Sequence, residues 1–267
     1  MVGEDNTESV GEPVLVALDF TADELRLLFT DPQGSPLERG AWPLPPLPDE
    51  DAWSWEVGGR IATLFATEGS RRSALAIAVA APGVVEPLSG TLAHSTGQRE
   101  WDGLAVVEAL RRHIDTPIAC ESRTNAALIG ERWHGAAGGA DDVLYVSLRG
   151  TPEAALLSGG RPVRGARFSA GNLPAMPELE PGQLIGDDDL ETASGLLADA
   201  SALLGPALVV IDGEDEHTRR LIPLLQRVLD EVAPGPRVVA SELGDNAALL
   251  GAARLAARLA YEGDRKP

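Results

Sequence analysis

The chain has 267 residues but only one cysteine, Cys120, one lysine, Lys266, and four histidines. A single cysteine excludes an internal disulfide and any cysteine-based zinc cluster. Cys120 lies in the apolar run "PIACE", where a reduced, packed thiol is expected. His94, His113, His134 and His217 stand far apart and give no metal-ligand spacing. Lys266 sits in a polar tail and arginine supplies the rest of the positive charge. Mechanisms that need a phosphate-gripping or Schiff-base lysine are weakened accordingly. No apolar run approaches the ~20 residues needed to cross a bilayer. Cations of both kinds are outnumbered, and the formal net charge is −19. Such a surface repels phosphate backbones and anionic membranes, so neither nucleic acid nor membrane is an expected partner. The opening "MVGEDNTESVGEP" is acidic and polar, unlike a secretory or transit segment. Residues 1–12 are therefore expected to be a disordered lead-in, and the cytoplasm is the expected location.

What is present is an ordinary globular composition, 44% hydrophobic and 24% charged. "VLVALDF" (Val14 to Phe20) and "SALAIAVAA" (Ser73 to Ala81) are nearly continuous apolar runs, the pattern of buried strands. "ELRLLFTDPQGSPL" suggests a hairpin partner, and "PLPPLPDEDAW" a connector that its prolines keep from being helical. Helical spacing follows over residues 51–66, 103–113 and 124–134. "DDVLYVSLRG" and "EAALLSGGRPVRGA" read as two antiparallel strands around a glycine turn. Helices over residues 190–204 and in "EHTRRLIPLLQRVLDEV" flank the strand "ALVVIDG". "RVVAS" and an alanine-rich helix close the chain. The predicted fold class is α/β with mixed sheets in two lobes, over residues 13–121 and 122–245. A final helix over 246–262 is expected to pack back between them. Both halves run hairpin, then βα, then βα, suggesting a duplicated plan without a sequence repeat.

The order of short motifs is more informative than any one of them. A strand ends in Pro82-Gly83, and Trp101-Asp102-Gly103 precedes a helix. "ESRTNAA" opens the next helix, "GAAGG" and "GGRPVRGA" follow, and "SELGDNAALLGAARLA" closes the series. Over about Leu15 to Ala260 this order resembles the ROK family of repressors, open reading frames and sugar kinases. That resemblance implies the actin-like ATPase (ribonuclease H-like) fold. Repressors of that family carry a winged-helix domain before this fold; with only about a dozen polar residues ahead of the first strand here, a directly DNA-binding repressor is not expected.

The family's chemistry is carried by motifs that this chain has altered. The family's strand-to-helix corner reads Glu-Asn-Asp-x-Asn-Ala, with Asn on a sugar hydroxyl and Asp as general base. Here those positions are Glu121, Ser122, Arg123, Thr124, Asn125 and Ala126. A guanidinium has no acceptor and stays protonated, so Arg123 is no base. Losing a base alone costs about 10² to 10⁴ in rate. The first phosphate loop, Asp-x-Gly-Gly-Thr-Lys, becomes Asp19, Phe20, Thr21, Ala22, Asp23 and Glu24. Both glycines are gone, and an acid replaces the lysine. The second loop, Gly-Thr-Gly-x-Gly, becomes Arg149, Gly150, Thr151, Pro152 and Glu153, and Pro152 has no amide to donate. The sugar motif Glu-x-Gly-His becomes Asn172, Leu173, Pro174 and Ala175. The stretch where many relatives bind zinc has neither Cys nor His, so no metal is expected there. The adenine-side Gly-Gly pair becomes Asp212-Gly213.

With no catalytic residue assigned, the expected function is an inactive sugar-kinase-like protein that senses a ligand or serves as an interaction scaffold. Asp19, Ser122, Arg123 and Asn172 are its candidate contacts to a small sugar or anion. Arg123 has a purely structural alternative, an ion pair with Asp19 or another acid. Asn125 is expected to serve the helix N-terminus, and Asp187 to Asp189 to form a solvated helix start. No cofactor is expected, and a homo-oligomer or protein partner is. The competing function is a divergent hexose kinase using ATP and Mg²⁺, with Asp23, Asp102 or Glu121 as base.

Overall fold

In a computed structural model, residues 11–68, 72–173, 176, 186–232 and 235–262 are described. Two compact units emerge. One takes residues up to Ala81, Val85–Glu121 and those from Ala252 onward; the other takes Pro82–Val84 and Ser122–Gly251.

In the first unit, β1 (Glu12–Phe20) is flanked by antiparallel β2 (Glu24–Thr30) and parallel β4 (Arg72–Ala81). With β3 (Pro36–Pro43) outermost and β7 (Ile118–Ser122) on the far side, the order is β3-β2-β1-β4-β7. β3 is the departure from the sequence reading. Its side chains are mostly exposed, so hydrophobic patterning does not announce it, and pairing with β2 creates it. β5 (Gly83–Glu86) and β6 (Thr91–Ser95) form a separate two-stranded sheet that was likewise unforeseen. The expected helix near residue 51 is present in three pieces. They are α1 (Glu50–Trp53), one π-helical turn (Ser54–Gly58) and α2 (Gly59–Glu68). Phe20 meets buried Trp53 and Trp101 at ring centroid distances of 5.1 and 5.5 Å, which locks the end of β1 into the core. Trp101 closes a 3₁₀ turn, and Gly103 at φ +84° lets the chain turn into α3 (Val106–Arg111).

The second unit repeats the plan. After α4 (Arg123–His134), β8 (Val143–Ser147), β9 (Glu153–Ser158) and β10 (Arg161–Val163) form an antiparallel set. α5 (Asp187–Leu204) precedes β11 (Leu208–Asp212). α6 (Asp215–Val232) precedes β12 (Arg237–Ala240), and α7 (Ala247–Glu262) closes the fold. The strand order is β10-β9-β8-β11-β12, the same third-second-first-fourth-fifth arrangement as in the first unit. "EAALLSGGRPVRGA" is thus two strands rather than one, since Gly159 and Gly160, both at positive φ, make the turn between them. The start of α7 crosses α4 closely enough that a Cβ on Gly251 would lie 1.7 Å from the carbonyl oxygen of Ala126. Among the described residues no helix is long and apolar enough to cross a membrane. Pro174, Ala175 and most of the acidic, proline-rich stretch before Gly186 lie outside the described residues, as do Lys266 and residues 1–10.

Candidate functional site

In the first unit, Asp19 stands at the end of β1 with no solvent exposure. Directly opposite it in the β1–β2 register is Arg26, whose guanidinium donates to the Asp19 carboxylate. The turn between these strands is closed on itself. The Thr21 amide donates to the Glu24 carbonyl at 2.9 Å, and the Asp23 and Glu24 amides donate to Thr21 Oγ1 at 3.4 and 3.2 Å. Donors that a phosphate loop turns outward are here used inside the turn.

Ser122 is the N-cap of α4, its hydroxyl accepting from the Asn125 amide at 3.2 Å. Asn125, expected to serve the helix N-terminus, contributes its backbone amide to this cap. A serine in extended backbone immediately before a helix is the better acceptor for that amide. Arg123 is the first helical residue and is half-buried. Thr124 donates from its hydroxyl to the Glu153 carboxylate at 2.5 Å. Glu153 in turn forms a β-bridge with Asn172. The second unit thus groups the corner Ser122–Thr124 with the end of the second loop and with Asn172. Farther along α4, the buried Glu131 carboxylate accepts from the Ala136 amide (2.7 Å), Ser241 Oγ (2.5 Å) and the Leu243 amide (2.9 Å).

A second cluster gathers around Arg149, in the loop between β8 and β9. Its Nε donates to both Asp212 oxygens at 3.1 and 3.0 Å, and Nη2 to the Gly213 carbonyl at 3.2 Å. Nη1 pairs with Asp245 at 2.9 Å. Tyr145 donates its hydroxyl to Asp212 at 3.0 Å. Burial pushes the Asp212 carboxyl above its ordinary value while Arg149 opposes that shift. The Tyr145 hydroxyl is pushed well up by burial and by the neighbouring Asp212 charge. One guanidinium therefore spans the second loop and the Asp212-Gly213 strand end.

The roles of Tyr145, Arg149 and Asp245 in this cluster were not legible in the sequence, because their partners lie 63 or more residues away or arrive through another strand. Arg26 was within reach: a tight β1–β2 turn puts residue 26 opposite residue 19.

The three alternative bases fare differently. Asp23 is exposed in its turn, and Glu121 is buried in β7 beside Cys120. Asp102 accepts from the Ser95 amide at 2.7 Å, which lowers its pKa and makes it a weaker base, with His94 adding to the effect. Cys120 is buried, and desolvation followed by the Glu121 charge raises its thiol pKa, consistent with a packed rather than reactive role.

The model of the ROK family matches residues 17–177, more than half of the chain. The chain belongs to the ROK family. A β-glucoside kinase of Listeria innocua is 31% identical over 169 residues, covering 60% of this chain and 56% of that protein. The chain spans only about a quarter to just over half of the length of the curated relatives it matches. Among solved structures, a ROK-family glucokinase from Streptomyces griseus, in complex with glucose and AMPPNP, is similar at a TM-score of 0.70 and 18% identity. That match covers 91% of this chain and 98% of the other. A ROK-family transcriptional regulator, a homologue of the E. coli MLC protein, is similar at a TM-score of 0.76 and 16% identity, covering 94% and 79%. At these identities the structures establish the shared sugar-kinase fold with its mixed α/β sheets. The scaffold of this ROK chain is therefore the family's.

Proposed function

We propose that this ROK protein is catalytically silent and uses the kinase scaffold to sense a small sugar or anion, or to dock a protein partner. The observation that carries this reading is the Arg149 clamp. A side chain of the chain itself bridges Asp212, Gly213 and Asp245 at the loop and strand end that resemble the family's second phosphate loop and adenine-side pair. The closed Thr21 turn and the cation at Arg123, in the position of the base, support it.

Mg²⁺ and ATP do not fit the residues present. Asp19, the acid expected to approach Mg²⁺, already faces the Arg26 guanidinium. Asp23 and Glu24 add negative charge where a triphosphate would need positive charge.

Calorimetry with ATP·Mg²⁺ and a coupled ADP-release assay across hexoses, N-acetylhexosamines and β-glucosides test the reading. Expected are no nucleotide heat and no turnover, with sugar or anion binding that weakens in Arg123→Ala. Saturable phosphorylation that disappears in Asp19→Asn overturns it. That outcome is the second reading, a divergent hexose kinase, which the 31% identity to a β-glucoside kinase favours.

A further inference from the structure

We infer that Arg26 is a resident cation, holding on Asp19 the place that a divalent metal ion would need. On the reading that Mg²⁺ does not fit these residues, Arg26 is what keeps the ion out, and its loss creates a metal site.

The pairing is set by the backbone. Asp19 and Arg26 are partners in the antiparallel register of β1 and β2, so their side chains leave one face of the sheet side by side. Glu24 lies two residues before Arg26 on the same strand and therefore on the same face. Its carboxylate stands 3.9 Å from Arg26 Nε, while Arg26 Nη2 donates to Asp19. One guanidinium thus lies against two carboxylates. The amides of the turn between the strands donate to Thr21 Oγ1 and to the Glu24 carbonyl, so they are spent within the turn.

Burial decides between the arginine and a free ion. The Asp19 side chain is 0% exposed and that of Arg26 18%, whereas that of Glu24 is 49% exposed. A carboxylate withdrawn from water needs a counter-charge, and a guanidinium supplies one at any pH a folded protein meets. A divalent ion requires several oxygen ligands at about 2.0–2.6 Å. It cannot take the Asp19 carboxylate without stripping that bond from a mostly buried guanidinium, which is costly. Truncating Arg26 removes the obstacle and this counter-charge together. What remains is a guanidinium-sized gap beside a buried and a half-exposed carboxylate, with Asp19 as the necessary ligand and Glu24 as the secondary one.

Mn²⁺ titration without nucleotide, with the free ion followed by electron paramagnetic resonance, tests this. An acidic surface takes up Mn²⁺ weakly, so the readout is the difference between variants. Wild type and Asp19→Asn should bind alike. Arg26→Met should gain one Mn²⁺ per chain, about tenfold or more tighter than the surface sites, and Mg²⁺ should compete for it. Adding Asp19→Asn to Arg26→Met should abolish the gain, and adding Glu24→Gln should weaken it several-fold. Arg26→Lys keeps the charge and should gain nothing. If Arg26→Met is unfolded in EDTA, native circular dichroism should return with one equivalent of Mn²⁺. Four results overturn the inference. They are a wild-type Mn²⁺ site that Asp19→Asn abolishes, a folded Arg26→Met without an added ion, an added ion indifferent to Asp19→Asn, and an Arg26→Met that stays unfolded at every Mn²⁺ concentration. Sugar phosphorylation by the wild type would refute the silent reading without altering these counts. A wild-type Mn²⁺ site on Asp19 would refute the resident cation even with no turnover.

Discussion

Replacing Arg149 with Met keeps the aliphatic stem but deletes the guanidinium that holds Asp212, Gly213 and Asp245. The contact to Asp212 is charge-assisted and worth about 1.5–3 kcal/mol, and the one to the Gly213 carbonyl about 0.5–1.5. Asp245 is 65% exposed, so that pair contributes roughly 0–1 kcal/mol. Arg149 is itself about one-third exposed, and water recovers part of the loss. The expected destabilisation at neutral pH is about 2–4 kcal/mol.

The pH dependence carries the sharper test. Burial already holds the Asp212 carboxyl above its ordinary value of 3.8, and Arg149 restrains that rise. Between 3.8 and the raised folded value, the folded state binds more protons than the unfolded state, so stability falls as pH rises. Without Arg149 the folded value rises further and the window widens upward. The deficit of the variant should be small near pH ~4, grow with pH, and level off once Asp212 ionises in both states. Urea unfolding across a pH series, in wild-type and Asp212→Asn backgrounds, measures it. In the Asn background the pH-dependent part should vanish. A deficit that stays constant from acid to alkaline pH, or falls below about 0.5 kcal/mol throughout, refutes the clamp.

Three further perturbations test the frame around this site. Glu131→Ala removes a buried carboxylate that three backbone amides and the Ser241 hydroxyl donate to, and should cost about 3–5 kcal/mol in denaturant unfolding. Glu131→Gln should fall between it and wild type, and a loss under 1 kcal/mol for the alanine contradicts the anchor role. Gly251→Ala gains about 1 kcal/mol of helix propensity, yet its Cβ would sit 1.7 Å from the Ala126 carbonyl oxygen. A net loss of about 1–3 kcal/mol is expected, and a stabilised variant would mean α4 and α7 are not in close contact. Ser122→Ala should cost about 0.5–2 kcal/mol with faster amide exchange at Asn125, and Ser122→Asp should restore both.

By itself the sequence determined the strands and helices whose apolar period is strong. β1, β4, β8 and β11 are continuous buried runs, and such runs find a sheet whatever surrounds them. The sequence also determined that the first residue of α4 is Arg123 and that residue 152 is proline, since residue identity is enough to deny an acceptor at the one and an amide at the other. Tertiary structure decided what has no local period. β3 has a mostly exposed pattern and exists because β2 offers it an edge. The N-cap of α4 is Ser122, whose extended backbone just before the helix lets its hydroxyl accept from the Asn125 amide. Above all, Arg149 looked in sequence like one more loop substitution. Only the parallel pairing of β8 with β11 brings Asp212 under its guanidinium, 63 residues along the chain.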